Sequence, residues 1–249
     1  MYGLSRLGVE VMVRMTTERP ELIWLRPERS TRGPAPAHSR AAIAAAAISL
    51  ADGEGLAAVS MRRIAAVLGA GTMSLYTYVP KKEHLFDLML DAVAGEWDLP
   101  AAPSGDPRAD LLGFGREGLA AMRRHPWVPA LVLTRLTIGP NSLRCTEYFL
   151  AVIEGVDLPG GAKLELFAML NGSVCQFAQW EANQAASAGA AEQWQAELVA
   201  YLGAEVATGA YPHLAAAMAV GRDAGPGALD DVFERGFGRV VDTVLAARD

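Results

Sequence analysis

The sequence predicts an all-α protein, in which an N-terminal three-helix head of helix-turn-helix type is followed by a larger helical body. Three observations carry this. Beyond Ser39 apolar residues recur at i, i+3, i+4 and i+7, long alternating β-branched runs are missing, and glycine or proline clusters separate the periodic stretches. Hydrophobic residues make up 51% of the 249, enough for a substantial core. No stretch approaches the roughly 18 uninterrupted apolar residues of a membrane-spanning helix.

Residues 1–38 read as a mobile arm, because Pro20, Pro27, Pro34 and Pro36, with Gly33 and Ser30, interrupt any continuous helix or central strand. Met12 and Met15 are alternative translation starts. Arg6, Glu10, Arg14, Glu18 and Arg19 break the early apolar runs before a secretory core can form, so a cytoplasmic location is expected. Cys145 and Cys175 lack zinc-site spacing and are expected as reduced thiols.

The head is expected over residues 39–98. Ser39 can cap a first helix carrying Ile43, Ala47, Ile48 and Leu50, ended by Asp52-Gly53-Glu54-Gly55. Ser60 caps a second, with Ile64, Ala65 and Leu68 inward, and Gly69-Ala70-Gly71 stops it. A third short segment spans Thr72 to Val79, before Pro80. Lys81 begins a longer amphipathic helix with Leu85, Phe86, Leu88, Met89, Ala92 and Val93 on one face, running to about Trp97. Pro100, Pro103, Ser104, Gly105 and Pro107 then open the body, residues 99–249. Its periodicity predicts helices over 108–124, 127–135, 141–154, 161–186, 191–207 and 229–247.

Charge is distributed unevenly. Between Arg26 and Lys82 eight bases face three acids, a local balance of +5. The formal charge of the whole chain is −6, so the remainder carries −11. A basic front and an acidic rear suit a polyanion at one end and self-association or small ligands at the other; a solvated charged face is the plainer alternative.

Two short helices joined by a glycine turn are what a helix-turn-helix needs, since the turn must pack the second helix across the first while leaving its N-terminus outward. Ile64, Ala65 and Leu68 with Leu75 and Val79 supply the shared core. Thr72, Met73, Ser74, Tyr76 and Thr77 then face outward with side chains able to meet base edges and thymine methyls. Arg62 can bond guanine in bidentate fashion, or pair with Glu54 or Asp52; Lys81 and Lys82 suit phosphates. Arg26, Arg29 and Arg32 can enter an adjacent minor groove or belong to a solvated linker.

Residues 40–93, and above all ADGEGLAAVSMRRIAAVLGAGTMSLYTYVPKKEHL, resemble the DNA-binding domain of TetR/AcrR-type bacterial transcriptional regulators. The pattern A-x-x-L-G-x-x-x-x-x-L-Y-x-Y-V-x-x-K-x-x-L is matched by Ala65, Leu68, Gly69, Leu75, Tyr76, Tyr78, Val79, Lys82 and Leu85. The resemblance implies a homodimer whose N-terminal helices bind double-stranded operator DNA and whose C-terminal helices form a ligand cavity and the dimer interface. It also implies base contacts by Arg62, Thr72, Met73, Ser74 and Tyr76, and phosphate contacts by Ser60, Thr77, Tyr78 and Lys82. Met73 departs from the small residues or proline often found at its position. For Tyr78, packing under the next helix is the alternative.

In the body, Leu164, Phe167, Leu170, Val174 and Phe177 on one helix, and Phe233, Phe237, Val240, Val241, Val244 and Leu245 on another, suit either a four-helix dimer interface or a monomer core. His125, Trp127, Phe149, Asn171, Cys175, Gln176, Gln179 and Trp180 can line a mostly apolar effector cavity with a few polar groups. A structural hydrogen bond is the competing role for Asn171, and a helix end that for His125.

No catalytic constellation emerges: G-x-S-x-G, H-E-x-x-H, Walker and dinucleotide patterns are missing, and His38, His84, His125 and His213 are far apart in sequence. No catalytic residue, cofactor or metal is therefore expected. The functional expectation is a dimeric repressor released from a palindromic operator by a small apolar effector. The alternative is a helical small-molecule-binding protein that leaves DNA alone.

Overall fold

The structure, a computed structural model, describes residues 22–28, 38–135, 138–186, 191–220 and 229–247. It contains eleven α-helices among the described residues, and no strand. In the head, α1 is Arg40–Glu54, α2 Met61–Leu68, α3 Thr72–Tyr76 and α4 Lys82–Ala94. In the body, α5 is Pro107–Arg124, α6 Val128–Val132, α7 Pro140–Val152, α8 Gly160–Ala186, α9 Ala191–Ala207, α10 Pro212–Val220 and α11 Leu229–Ala246.

Local chemistry sets these boundaries. Ser39 Oγ accepts from Ala42 N–H at 3.1 Å and Ser60 Oγ from Arg63 N–H at 3.3 Å, satisfying N-terminal donors of α1 and α2. Gly69 ends α2 with φ of +61°, a left-handed conformation that favours glycine. Asp106 caps α5, with Pro107 in the first turn where a missing N–H costs nothing. The third head helix stops at Tyr76, earlier than the expected Val79; a turn follows, in which Tyr78 N–H donates to Leu75 O at 3.0 Å, before Pro80. Helix α10 was not anticipated: its sequence PHLAAAMAV has apolar residues all round and no periodic face to read. Helices α9 and α10 lean on each other and expose Trp194, Tyr201 and Tyr211.

The expected mobile arm needs correction over Leu22–Glu28. Ile23–Leu25 form a 3-10 turn, and Ile23 is fully buried against the head. Residues 1–21 and 29–37, with Met12, Met15, Arg29 and Arg32, lie outside the described residues.

The head packs α1 against α4 and α2 against α3 around Ile43, Ala47, Ile64, Leu75, Val79, Leu85 and Met89. The body layers α5, α8 and α11, with α7 beside α4 and α5. Its centre is a ring cluster: Phe114 lies 5.0 Å from Trp97 and 6.1 Å from Phe149, and Phe149 lies 5.2 Å from Phe167. Phe233 stacks on Phe237 at 4.9 Å and meets Phe177 at 5.0 Å. Thus Leu170, Val174, Phe233, Phe237, Val241 and Val244, which suited either role, are buried within the protomer. Arg108–Asp242, Arg116–Glu234 and Arg123 with Glu181 and Asp230 tie α5 to α8 and α11 across the surface. No helix among the described residues is long and apolar enough to cross a membrane.

Gly115 marks the tightest crossing in the body, since a Cβ there would lie 2.1 Å from Phe237 Cε1. Phe237 is buried and stacked, so it cannot swing clear. Gly115→Ala should therefore lower stability by about 1–3 kcal/mol through overpacking, outweighing any gain in helix propensity. Urea unfolding of the variant checks this; an unchanged midpoint would contradict the α5–α11 packing.

Candidate nucleic-acid interface

Helix α3 has only five residues, and one of them, Leu75, is fully buried. Leu75 anchors the helix to Ile64 and Ala65 of α2, and Val79 continues the same apolar seam. Everything on the opposite side is open: Met73 is 78% and Tyr76 42% exposed, Ser74 and Thr77 are exposed, and Thr72 is half-buried at the start. Thr77 Oγ1 donates to Ser74 O at 2.6 Å, which closes the last turn. Five short or aromatic side chains therefore protrude from one rigid turn, with no acid among them.

The basic flank is divided by pairing. Arg63 forms a fork with Glu54, at 2.8 Å for its Nη1, and this bond holds the Glu54 carboxyl below the usual range. Arg62 is exposed and has no ion pair among the described residues, so neither Glu54 nor Asp52 neutralises it. Lys81 and Lys82 are exposed at the start of α4, with Lys82 Nζ 5.2 Å from the Phe86 ring centroid. Ser60 is exposed while capping α2. Eight of the nine residues expected at DNA are exposed or half-buried: Ser60, Arg62, Thr72, Met73, Ser74, Tyr76, Thr77 and Lys82. Tyr78 is the exception. At 4% exposure its ring packs in the head core, which is the alternative weighed for it.

The eight expected effector residues do not converge. His125 and Trp127 are 7% and 5% exposed and join the body to the head. His125 Nδ1 lies 2.8 Å from Asp52 Oδ1 at the end of α1, and its Nε2 lies 3.1 Å from Glu96, just beyond α4. Trp127 Nε1 donates to the same Asp52 oxygen at 2.7 Å. A carboxylate receiving both rings is a structural joint, and both residues are corrected from cavity lining to that role. Phe149 is fully enclosed in the ring cluster. Cys175 is fully buried, and burial pushes its thiol up to about 11. Asn171 Nδ2 donates to Phe167 O at 2.9 Å, four residues back on its own helix, so the competing structural bond is present. Gln179 donates to Asn183 at 3.2 Å on the outer face. Gln176 and Trp180 line a shared hollow, a groove of about 300 Å³ between α8 and α11 floored by Phe177, Phe233 and Phe237.

Two further joints escaped the sequence. Asp91 of α4 is 4% exposed and accepts from Ser142 N–H at 2.9 Å and Ser142 Oγ at 3.1 Å, capping α7 from a different domain. Arg135 Nη2 donates to Asp87 Oδ1 at 2.9 Å and Glu83 O at 3.1 Å. Partners some fifty residues apart leave no local signal. For the His125 joint, His125 before Pro126 and the acid near the end of α1 were the available hints.

Residues 43–89 match the family described as bacterial regulatory proteins, tetR family, and residues 99–247 match the tetracyclin repressor-like C-terminal domain. The HTH-type transcriptional repressor DrrR1 of Streptomyces coeruleorubidus is 40% identical over 201 residues, covering 78% of this chain and 74% of that one. Apo ActR from Streptomyces coelicolor superposes with a TM-score of 0.71 at 25% identity, covering 86% of this chain and 97% of that one. ActR in complex with actinorhodin gives 0.69 at 25% identity, covering 86% and 98%.

The joint at His125 has a direct consequence. Removing the imidazole leaves Asp52 and Glu96 facing each other's charge without their shared partner, so His125→Ala should cost about 1–3 kcal/mol, less than a fully buried pair because both carboxylates keep some exposure. Denaturant unfolding measures it; a cost near zero would remove this contact as a joint.

Proposed function

The chain belongs to the tetR family of bacterial regulatory proteins, and we propose that it acts there as a dimeric repressor whose operator grip is released by a small molecule. The observation that carries the DNA-reading role is the α3 face, held rigid by buried Leu75 and left open from Thr72 to Thr77. Arg62 supplies the planar donor pair for a guanine edge; Thr72, Met73, Ser74 and Tyr76 meet neighbouring edges and thymine methyls. Ser60, Thr77 and Lys82 fasten the backbone and set register. The surplus of positive charge in this third of the chain supplies the attraction that does not depend on sequence.

A palindromic operator follows from two-fold symmetry. Two copies paired through α8 and α11 would place their recognition helices in successive major grooves, about 34–36 Å apart. The apolar groove between α8 and α11, with Trp180 at its edge, supports that pairing. Effector control rests on the likeness to ActR, one of whose structures holds actinorhodin. The effector would bind in the body, where Asn171, Gln176, Gln179 and Trp180 retain exposed or half-buried surface. It would act by favouring a body geometry that turns the heads away from the operator spacing.

The experiment is footprinting or a gel shift on the intergenic DNA upstream of its own reading frame. Sequence-specific protection is expected at moderate salt, and its absence with folded dimer would overturn the proposal. Within that assay Arg62→Ala should cost about 1–3 kcal/mol and relax specificity at one base position. Lys82→Ala should weaken all sequences alike and reduce the salt slope by about 1. An equal effect of Arg62→Ala on every duplex would deny it a base-reading role.

A further inference from the structure

We propose that Leu22–Glu28 is an intramolecular strap that sets the angle between the DNA-reading head and the body, so that operator affinity depends on a segment touching neither DNA nor effector; this rests on the regulator reading above.

Three attachments support it. Ile23 is fully buried in the same apolar cluster as the head core. Arg40, the first residue of α1, gathers three carbonyls around one guanidinium: Nη1 donates to Ile23 O at 3.1 Å and Arg26 O at 2.9 Å, and Nε donates to Tyr78 O at 3.2 Å. Tyr78 lies just past α3, so one side chain fastens the strap to the exit of the recognition helix. Arg40 N–H also donates to Glu28 Oε1 at 2.7 Å, fixing the strap's far end. The third attachment reaches the body. Trp24 packs where α7 begins: a Cβ on Gly139 would lie 2.6 Å from Trp24 Cζ2 and 2.2 Å from Asp91 Oδ1. The indole is thus wedged beside the carboxylate that caps α7 from α4.

This geometry makes a lever. A shift of α7 against α4 meets Trp24, and Trp24 is one residue from the buried Ile23 whose carbonyl shares Arg40 with Tyr78. The strap therefore couples the recognition helix to the body in addition to the carboxylate joints between the two halves. The Arg26 carbonyl is committed to this clamp, so the backbone of the segment is held between the two halves.

The test uses the full chain with Ile23→Ser, the conservative Ile23→Val, and Trp24→Ala as a milder variant should Ile23→Ser fold poorly. Binding to a labelled duplex of the upstream intergenic DNA is measured against salt, and hydrogen exchange is followed at residues 76–79 and 140–143 without DNA. Ile23→Ser or Trp24→Ala should weaken operator binding by about tenfold with the salt slope unchanged, and should speed exchange at both segments. Ile23→Val should restore both. Unchanged affinity in a folded variant overturns the proposal, as does a salt slope that falls with affinity, which would mean direct phosphate contact. Exchange that quickens in the head alone also overturns it, because the strap would then not reach the body. If the unaltered chain shows no specific DNA binding, the regulator reading fails by itself, and the exchange at 140–143 still decides whether the strap joins the two halves.

Discussion

A helix of five residues has no independent stability in water, because nucleation costs more than so few backbone bonds return. Everything about this head answers that constraint. Helix α3 must present a full face outward, so it has one inward position to spend on packing, and Leu75 fills it completely. The remaining support comes from outside the helix: the left-handed Gly69 that ends α2, the buried Val79 and Tyr78 that follow, and the Arg40 guanidinium that receives the Tyr78 carbonyl. An exposed methionine at 78% is tolerable on such a helix only because its backbone is held from behind.

The same demand shapes the boundary between head and body. Polar joints cross it at Asp52 with His125 and Trp127, Glu96 with His125 and Arg124, Asp91 with the start of α7, and Arg135 with Asp87, beside the bonds of Arg144 to the Ala94 and Trp97 carbonyls. At Asp52, Asp87, Asp91 and Glu96 the acids belong to the head and the donors to the body, although the head sequence is basic and the body acidic overall; Asp98 N–H, which donates to Glu117 Oε2 at 3.1 Å, runs the other way. Net charge thus describes the solvent face, and the interface inverts it locally. The surface pairs within the body, such as Arg116–Glu234, lie half exposed and contribute little each. Its cohesion comes from the Phe114, Phe149 and Phe167 rings instead.

Much of the fold was legible because the head encodes it locally. Ser39 and Ser60 announce helix starts, Gly69 and Pro80 announce stops, and the periodicity of α1, α2 and α4 names their buried sides. The exposed face of α3 followed, since the residues left over beside Leu75 must point outward. What stayed hidden depends on distant partners. His125 looked like a helix terminus and a cavity polar group; nothing near it in sequence reveals Asp52, seventy-three residues earlier. The docking of Ile23 was masked by surrounding prolines, which forbid a long helix yet permit a single 3-10 turn around a buried side chain. Asn171 shows the opposite case: an amide among apolar residues leaves a ligand and a structural bond both open, and the bond to Phe167 O, four residues back, is present.

Joints built from hydrogen bonds suit the proposed switching better than an apolar seam would. Moving a two-state equilibrium from 1:99 to 99:1 takes about 5.5 kcal/mol of differential ligand affinity. A hydrogen bond contributes about 0.5–1.5 kcal/mol net, and about 1.5–3 where one partner is charged. Two or three such bonds at Asp52 and Asp91 therefore lie within reach of one small molecule's binding energy. An apolar interface loses its contacts gradually as it slides, whereas Asp91 either caps α7 or does not. A head held by a few directional bonds has two definable arrangements, and that bistability is what a ligand bound elsewhere needs if it is to be felt at Thr72–Thr77.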